Sequence, residues 1–150
     1  MAGCGGPAAA PTTSIAAATT TTTTTVATAT PASVSPVQPW FNLQVGDCID
    51  QVPAVDEGAV DVTLVDCSAP HRAEVYQRAP IPVDAAVTDV ANRRCAEALT
   101  TYAGQPSGYT VSYLIDSNQD RTANNPLPST VICLLQDRAG ATLTGSAHSH

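Results

Sequence analysis

The sequence predicts an α+β fold, in which one mostly antiparallel sheet of about five or six strands packs against one main helix. Several apolar runs of strand length are separated by turn residues, and one segment, residues 85–103, has apolar side chains at helical spacing. Strands precede and follow that helix without the regular strand–helix alternation of a parallel sheet. Four widely spaced cysteines in the same region add two expected disulfides.

The first 39 residues differ in composition from the rest of the chain. They carry no charged side chain, and residues 7–39 consist mostly of Ala, Thr, Pro, Ser and Val. Such a segment has too little apolar surface to fold alone, so we expect a disordered tether that spans roughly 100 Å when extended. The folded domain is then predicted over residues 40–146, with a flexible tail at residues 147–150.

Cys4 stands apart from the other cysteines, close to the start of this tether. The sequence Met1-Ala2-Gly3-Cys4 is similar to a bacterial lipobox, in which small residues precede the cysteine that becomes the lipidated N-terminus. No charged or apolar signal sequence precedes it, so we expect the signal peptide to be cleaved or encoded upstream. The sequence thus predicts a lipoprotein anchored through Cys4 to the outer face of the cytoplasmic membrane. The alternative is an unmodified cysteine near a disordered end.

The segments before the helix predict three strands. Residues 41–45 alternate apolar and polar side chains and predict a half-buried strand. Residues 60–65 predict the second strand, and residues 72–79 predict the third. We expect Pro80-Ile81-Pro82 to end the third strand, because proline donates no hydrogen bond to a sheet.

The helix is predicted from about residue 85 to residue 103. Its apolar positions recur at three- and four-residue spacing and place Cys95 on the face toward the sheet. Further strands are predicted at residues 111–115 and 130–136, and the latter segment is apolar enough to be central in the sheet. Residues 143–146 predict a short edge strand.

Four cysteines are spread through the folded part, namely Cys48, Cys67, Cys95 and Cys133. No two of them have the close spacing of a structural zinc site or of a redox Cys-x-x-Cys, so we predict two disulfides and an oxidising compartment. Four cysteines allow three pairings. Cys48 and Cys67 end neighbouring predicted strands, which favours their pairing. Cys95 on the helix can then reach Cys133 on the central strand.

The acidic charge balance narrows the range of partners. The chain has a net charge of −7, with six arginines and no lysine. An acidic surface without basic runs argues against binding to nucleic acid and against electrostatic adhesion to anionic lipid. Neither a Gly-rich phosphate loop nor a Gly-x-Ser-x-Gly nucleophile motif occurs, so we expect no cofactor and no catalytic residue.

Several short motifs follow one another along the folded part. The most specific is Val65-x-Cys67-x-x-Pro70-His71-x-x-Glu74-Val75-Tyr76, and the others are Leu43-x-Val45-Gly46-Asp47-Cys48, Cys95, Asp120-Arg121, Val131-Ile132-Cys133 and Thr144-Gly145-Ser146. In these motifs the chain resembles the septum-formation domain family of actinobacterial envelope lipoproteins. The resemblance covers nearly the whole folded part. It implies a role in cell division or in the cell envelope, without an established reaction.

His71 and Glu74 are the most attractive acid–base or metal-binding pair in the sequence. Side chains alternate along a strand, so a shared site requires His71 to lie in the corner before the strand begins. The alternative, which we favour, is that His71 caps the corner at Pro70. The same alternation places Arg72, Glu74 and Tyr76 on one face. We interpret them as a solvated, salt-bridged row, with a recognition stripe as the alternative.

Two further groups of polar residues are candidates. Asp120 and Arg121, in a long polar loop, could present their charges to a partner or form a local ion pair of little energetic consequence. His148 and His150 form a His-x-His tail at a terminus that we expect to fray. Such a tail binds metal loosely, so no metal site is predicted.

Together these observations predict a non-enzymatic binding or scaffolding domain of the bacterial cell envelope, linked to septum formation or cell division. Its expected partners are envelope or division proteins, besides the membrane that holds its lipid. The alternative hypothesis is an envelope hydrolase or a metal-binding protein that uses His71 with an acidic partner, either Glu74 or Asp47.

Overall fold

The computed structural model describes Gly3 and residues 5–11, 35–83, 85–117 and 129–148. The chain divides into two units, Met1–Ala32 and Ser33–His150. In the first unit, Gly3 and residues 5–11 are exposed and carry no helix or strand. The strands and helices described below belong to the second unit. Within the described residues, no helix is long and apolar enough to cross a membrane.

One antiparallel sheet organises the second unit. Its strands are β1 (Val37–Pro39), β2 (Cys48–Ile49), β3 (Asp61–Val65), β4 (Ala73–Ile81), β5 (Tyr109–Asp116) and β6 (Ser129–Asp137). They lie side by side in the order β1-β3-β2-β4-β6-β5. Helix α1 (Val87–Ala103) follows β4 in the chain and packs against β4, β5 and β6. The predicted α+β fold class, with one sheet and one main helix, is confirmed.

Two hydrophobic clusters fill the two faces of the sheet. The cluster on the helix face consists of Tyr76, Ala79, Ile81, Val90, Ala91, Cys95, Leu99, Val131, Cys133 and Leu135. The cluster on the other face consists of Trp40, Leu43, Ile49, Val62, Ala73, Val75, Leu114, Ile132 and Leu134. Strands β4 and β6 contribute to both clusters, and a strand that is buried on both faces has a nearly continuous apolar sequence. This explains why β6 was recognisable as an interior strand.

Both expected disulfides are present. Cys48 at the start of β2 is bonded to Cys67, just beyond the end of β3. Cys95 of α1 is bonded to Cys133 of β6, with the two Cα atoms 5.5 Å apart. Both cysteines of the second pair are fully buried. That bond therefore ties the helix to the sheet from within the core.

The prediction of a strand over residues 41–45 is wrong. Residues Trp40–Asn42 form a 3-10 turn, and Trp40 and Leu43 point into the core. Arg78 in β4 holds this turn, because its Nη1 donates to the carbonyl oxygens of Phe41 and Leu43. Long-range contacts thus override the local alternation of apolar and polar residues.

The end of β4 also differs from its prediction. Pro80 lies inside the strand, opposite Thr130 of β6, and the strand runs on to Ile81. Strand β2 is only two residues long and pairs with β4 at Ala73 and Glu74 alone. Among the described residues, the far end of β4 therefore has no partner strand on that side, where the missing N–H of a proline costs no sheet hydrogen bond.

Helix α1 begins two residues later than predicted and ends where predicted. It spans Val87–Ala103, and the following Gly104 adopts a φ of 64°, with its N–H donating to the carbonyl oxygen of Thr100 at 3.1 Å. Such a positive φ favours glycine, which has no Cβ to clash. Cys95 faces the sheet, as its place on the apolar stripe predicts.

Removing the Cys95–Cys133 disulfide should destabilise the domain more than removing Cys48–Cys67. The bonds span 38 and 19 residues. Loop-closure entropy then gives losses of about 4 and about 3 kcal/mol in the free energy of unfolding. Urea denaturation of the Cys95→Ala/Cys133→Ala and Cys48→Ala/Cys67→Ala double variants checks this order. A larger loss for the second variant would contradict it.

Candidate functional site

The corner between β3 and β4 is built by local hydrogen bonds. The Asp66 carboxylate accepts hydrogen bonds from the hydroxyl and the backbone N–H of Ser68, at 2.7 and 2.8 Å. Both hydrogen bonds hold the pKa of the Asp66 carboxyl below its usual value, and the bond from the hydroxyl has the larger effect. The N–H of Ala69 closes the turn on the Asp66 carbonyl oxygen. Pro70 and His71 follow this turn, and His71 lies two residues before the start of β4.

His71 lies in this corner, so the condition for a site shared with Glu74 is met. The residue is only 1% exposed, and its backbone forms a two-residue bridge with Leu143. Its Nδ1 lies 2.8 Å from the carbonyl oxygen of Ala69. Because a carbonyl oxygen can only accept, Nδ1 carries a hydrogen, and in the neutral imidazole Nε2 then has the lone pair. Nε2 is buried and has no hydrogen-bond partner in the described part of the chain.

Glu74 is completely buried and lies directly opposite Cys48 in the pairing of β4 with β2. Its Oε1 accepts hydrogen bonds from the hydroxyls of Tyr102 and Ser146, at 2.6 and 2.5 Å. Its Oε2 accepts one from the backbone N–H of Ala147 at 2.7 Å. A buried carboxylate needs such donors, because burial removes its hydration. All three donors are uncharged groups.

Cys48, His71 and Glu74 form one buried cluster, which we call the Cys–His–Glu cluster. One ring nitrogen of His71, Sγ of Cys48 and one carboxylate oxygen of Glu74 all lie within 4.8 Å of one another. These atom types bind metals such as zinc, but a cysteine binds as a thiolate. Cys48 is bonded to Cys67 in this structure and offers no thiolate.

The C-terminal residues 143–148, which we call the C-terminal strap, cover this cluster. Sequence reasoning predicts an edge strand at residues 143–146, whereas the structure has the single bridge between Leu143 and His71. The N–H of Gly145 donates to the carbonyl oxygen of Cys67 at 2.6 Å. Of the predicted tail at residues 147–150, the structure describes two residues: the N–H of Ala147 donates to Glu74, and the His148 ring packs 4.7 Å from that of Tyr102.

Two tyrosines beside the cluster have raised pKa values. Burial, the hydrogen bond to Glu74 and the negative charge of Glu74 together raise the pKa of Tyr102, with burial as the largest cause. Burial alone raises the pKa of Tyr76, whose hydroxyl donates to the carbonyl oxygen of Cys95 at 2.8 Å. Both phenols are therefore protonated hydrogen-bond donors in the folded protein.

Arg72, Glu74 and Tyr76 do not form the expected solvated row. Arg72 is exposed, and its Nη1 donates to the carbonyl oxygen of Gly140 at 2.8 Å. Glu74 and Tyr76 are 0% and 2% exposed, because β4 is an interior strand whose helix-side face is covered by α1 and the strap. A recognition stripe made of these three side chains is excluded for the same reason.

The remaining candidates do not join the cluster. The Asp47 carboxylate accepts hydrogen bonds from the Gln44 N–H at 2.8 Å and from Gln38 Nε2 at 3.4 Å, within its own part of the chain. Cys4 lies outside the described residues, as do Asp120-Arg121 and His150. Their predicted roles stay predictions.

A surface groove lies next to the cluster, and Tyr102, whose hydroxyl donates to Glu74, is part of its lining. Its volume is about 410 Å³, and it is lined by Val45, Tyr76, Gln77, Ala98, Thr101, Tyr102 and His148. We call it the helix groove. Sequence reasoning missed it, although Tyr102 lies on the same helical stripe as Cys95 and this could have pointed to its inward orientation.

Two mycobacterial proteins are similar to this chain over most of its length. A protein of Mycobacterium tuberculosis named "Putative lipoprotein LppN" is 54% identical over 132 residues, which cover 81% of this chain and 75% of the relative. A protein of the same name in Mycobacterium bovis is 53% identical with the same coverage. The chain belongs to this LppN lipoprotein family.

Comparison with protein-family models gives no match. Comparison with solved structures gives none either. The relation of this LppN-family chain to the septum-formation domain therefore stays a prediction. Its membership among lipoproteins agrees with the lipobox-like sequence at Cys4.

Replacing Glu74 with glutamine should destabilise this LppN-family domain by about 1–3 kcal/mol, because the amide N–H₂ would face a hydrogen-bond donor in the interior. The matched control is Glu97→Gln, at an exposed position of α1. Surface substitutions of this kind change stability by less than about 0.5 kcal/mol. Urea denaturation at neutral pH measures both. Equal effects would show that the buried hydrogen bonds of Glu74 contribute nothing to stability.

The domain should also lose stability as the pH rises above about 10, the pKa of an unfolded tyrosine. Raised pKa values in the folded state mean that the unfolded state releases its tyrosine protons first. The stabilisation is therefore complete below that pH and is lost above it. Denaturation at increasing pH should show a shallower decline for Tyr102→Phe, which lacks one of these phenols. Parallel declines would contradict this assignment.

Proposed function

We propose that this domain is a non-enzymatic binding module of the cell envelope, held at the outer face of the cytoplasmic membrane by a lipid on Cys4. The lipobox-like sequence at Cys4 and the names of the two mycobacterial relatives support the lipid anchor. Two disulfides support an extracytoplasmic location, because such bonds persist in oxidising compartments.

The observation that carries the non-enzymatic reading is the burial of the acid–base pair. His71 and Glu74 are 1% and 0% exposed, and the strap lies over both. General acid–base catalysis requires the catalytic group to come within hydrogen-bond reach of the substrate. A cell-wall polymer cannot reach these side chains in this structure. Their hydrogen bonds to Ala69, Tyr102 and the strap hold the fold together instead.

The helix groove is the surface that we propose for partner binding. It combines aromatic rings of Tyr102 and His148 with polar groups of Gln77 and Thr101. Aromatic side chains that are already held in place contribute contact area to an interface at little cost in conformational entropy. The partner that we propose is a protein of the envelope or of the division machinery, in keeping with the resemblance to septum-formation domains.

Cross-linking in living cells tests the groove directly. A photoreactive residue at Thr101, on the groove, is compared with one at Ala96, which is exposed elsewhere on α1. Both are introduced into the full-length, lipidated protein, and the captured proteins are identified by mass spectrometry. We expect envelope or division proteins to be captured from position 101 at least about tenfold more than from position 96.

Equal capture from both positions would place the partner away from the groove. If this protein captures only proteins that a control lipoprotein also captures, the proposed binding module would be refuted. Release of soluble products from cell-wall material by the purified protein, lost on His71→Asn, would refute the non-enzymatic assignment.

A further inference from the structure

Two buried groups in the Cys–His–Glu cluster have electron pairs that no donor in the described part of the chain uses. Nε2 of His71, which has the lone pair in the neutral imidazole, has no hydrogen-bond partner in the described part of the chain. An ionised carboxylate has about four acceptor positions, and Glu74 uses three of them. One ring nitrogen of His71 and one carboxylate oxygen of Glu74 lie within 4.8 Å of each other, and a cation between them would satisfy both buried acceptors.

Cys48 supplies the third member of this group. Its Sγ belongs to the same set of atoms within 4.8 Å and is 2% exposed, whereas its disulfide partner Cys67 is only half-buried. Because Cys48 is buried between β3 and β4 while Cys67 is partly exposed, an external thiolate reaches the disulfide from the side of Cys67. Cys48 is then the sulfur that leaves.

We infer that the Cys48–Cys67 disulfide gates a cation site, in which the Cys48 thiolate, His71 Nε2 and the Glu74 carboxylate bind one zinc-like divalent ion. This inference goes beyond the proposed binding module and does not rest on it. In the oxidised protein the third ligand is withheld, and reduction supplies it.

The reduction step needs a protein dithiol as the two-electron donor. Its first thiolate attacks the Cys67 sulfur, a mixed disulfide forms, and Cys48 leaves as a thiolate. The second thiol of the reductant then loses its proton and attacks the reductant's first sulfur, which is bonded to Cys67 in the mixed disulfide. Cys67 leaves and takes up that proton, the reductant becomes a disulfide, and Cys48 stays deprotonated on binding the cation.

The ligand set suits zinc in type, number and charge. Zinc takes thiolate, imidazole and carboxylate ligands at about 2.0–2.3 Å, and sites with three protein ligands keep one open position. One sulfur, one nitrogen and one oxygen on a tetrahedral ion therefore lie about 3.3–3.6 Å apart, so distances at the 4.8 Å limit have to shorten by roughly 1.2–1.5 Å. Opening the disulfide frees Cys48 Sγ to move by this amount. A divalent cation also neutralises the two buried negative charges.

The test uses the full chain with Cys4→Ser in every variant, so that Cys48 is the thiol under study. Adding Cys67→Ser frees Cys48 without a reductant and leaves Cys95–Cys133 intact. The matched control, Cys48→Ser/Cys67→Ser, lacks the same disulfide and has no thiolate. His71→Asn places an amide nitrogen where Nδ1 donates to Ala69 but removes Nε2. Circular dichroism monitors the fold of each variant.

Titration with Co²⁺ alone, followed by competition with Zn²⁺, measures binding. The Cys67→Ser protein should bind one ion per chain with a thiolate-to-cobalt charge-transfer band, at least about tenfold more tightly than the Cys48→Ser/Cys67→Ser control and the His71→Asn/Cys67→Ser variant. The protein with both disulfides intact should bind as weakly as the control. It should gain the site after reduction with a phosphine.

Equal affinity of the Cys67→Ser protein and its Cys48→Ser/Cys67→Ser control would overturn the inference, as would binding without the charge-transfer band. An unfolded Cys67→Ser protein would overturn it too, because the ligands would then not be held together. If only the His71→Asn/Cys67→Ser variant unfolds, the comparison of Cys67→Ser with Cys48→Ser/Cys67→Ser decides. The His148–His150 tail is common to all variants and adds the same background.

Discussion

The buried negative charge of Glu74 is the constraint that arranges the parts of this domain. A carboxylate in the middle of a sheet is tolerated only where donors replace its hydration. Those donors come from distant segments, namely Tyr102 near the end of α1 and two residues of the strap. The helix end and the C-terminus are therefore placed by one side chain of β4. A shift of either would leave the carboxylate short of a hydrogen bond in the interior, which is costlier than breaking one in water.

The disulfides fix the same region from two sides. Cys48 faces Glu74 across the β2–β4 pairing, and its bond to Cys67 holds the β3–β4 corner in place. The Cys95–Cys133 bond lies in the helix-face cluster, where Tyr76 donates to the carbonyl oxygen of Cys95. With six aromatic residues in 150, the chain has a limited apolar core. Covalent links compensate for a small core in extracellular domains.

What the sequence could predict depends on how local the determining contacts are. Helix α1 and strand β6 follow from periodicity within one segment, and the pairing of Cys95 with Cys133 follows from both. Glu74 appeared exposed because a charged residue in an alternating strand is normally solvated. Its burial depends on donors such as Ser146, 72 residues away. The register shift between β4 and β6 at Tyr76 is likewise invisible in one strand's pattern.

Tyr102 couples the helix groove to the buried cluster, and this limits the kind of partner that the groove can accept. Its ring lines the groove and packs on His148, while its hydroxyl donates to Glu74 at 2.6 Å. A partner that displaced the ring would remove a hydrogen-bond donor from the buried Glu74 carboxylate. The free energy lost in this way would weaken the binding of that partner to the groove. Coupling between two sites is reciprocal, so a cation that drew Glu74 away from Tyr102 would in turn loosen one wall of the groove. The groove of the oxidised protein is thus a preformed surface, which selects partners by their fit to the present position of Tyr102.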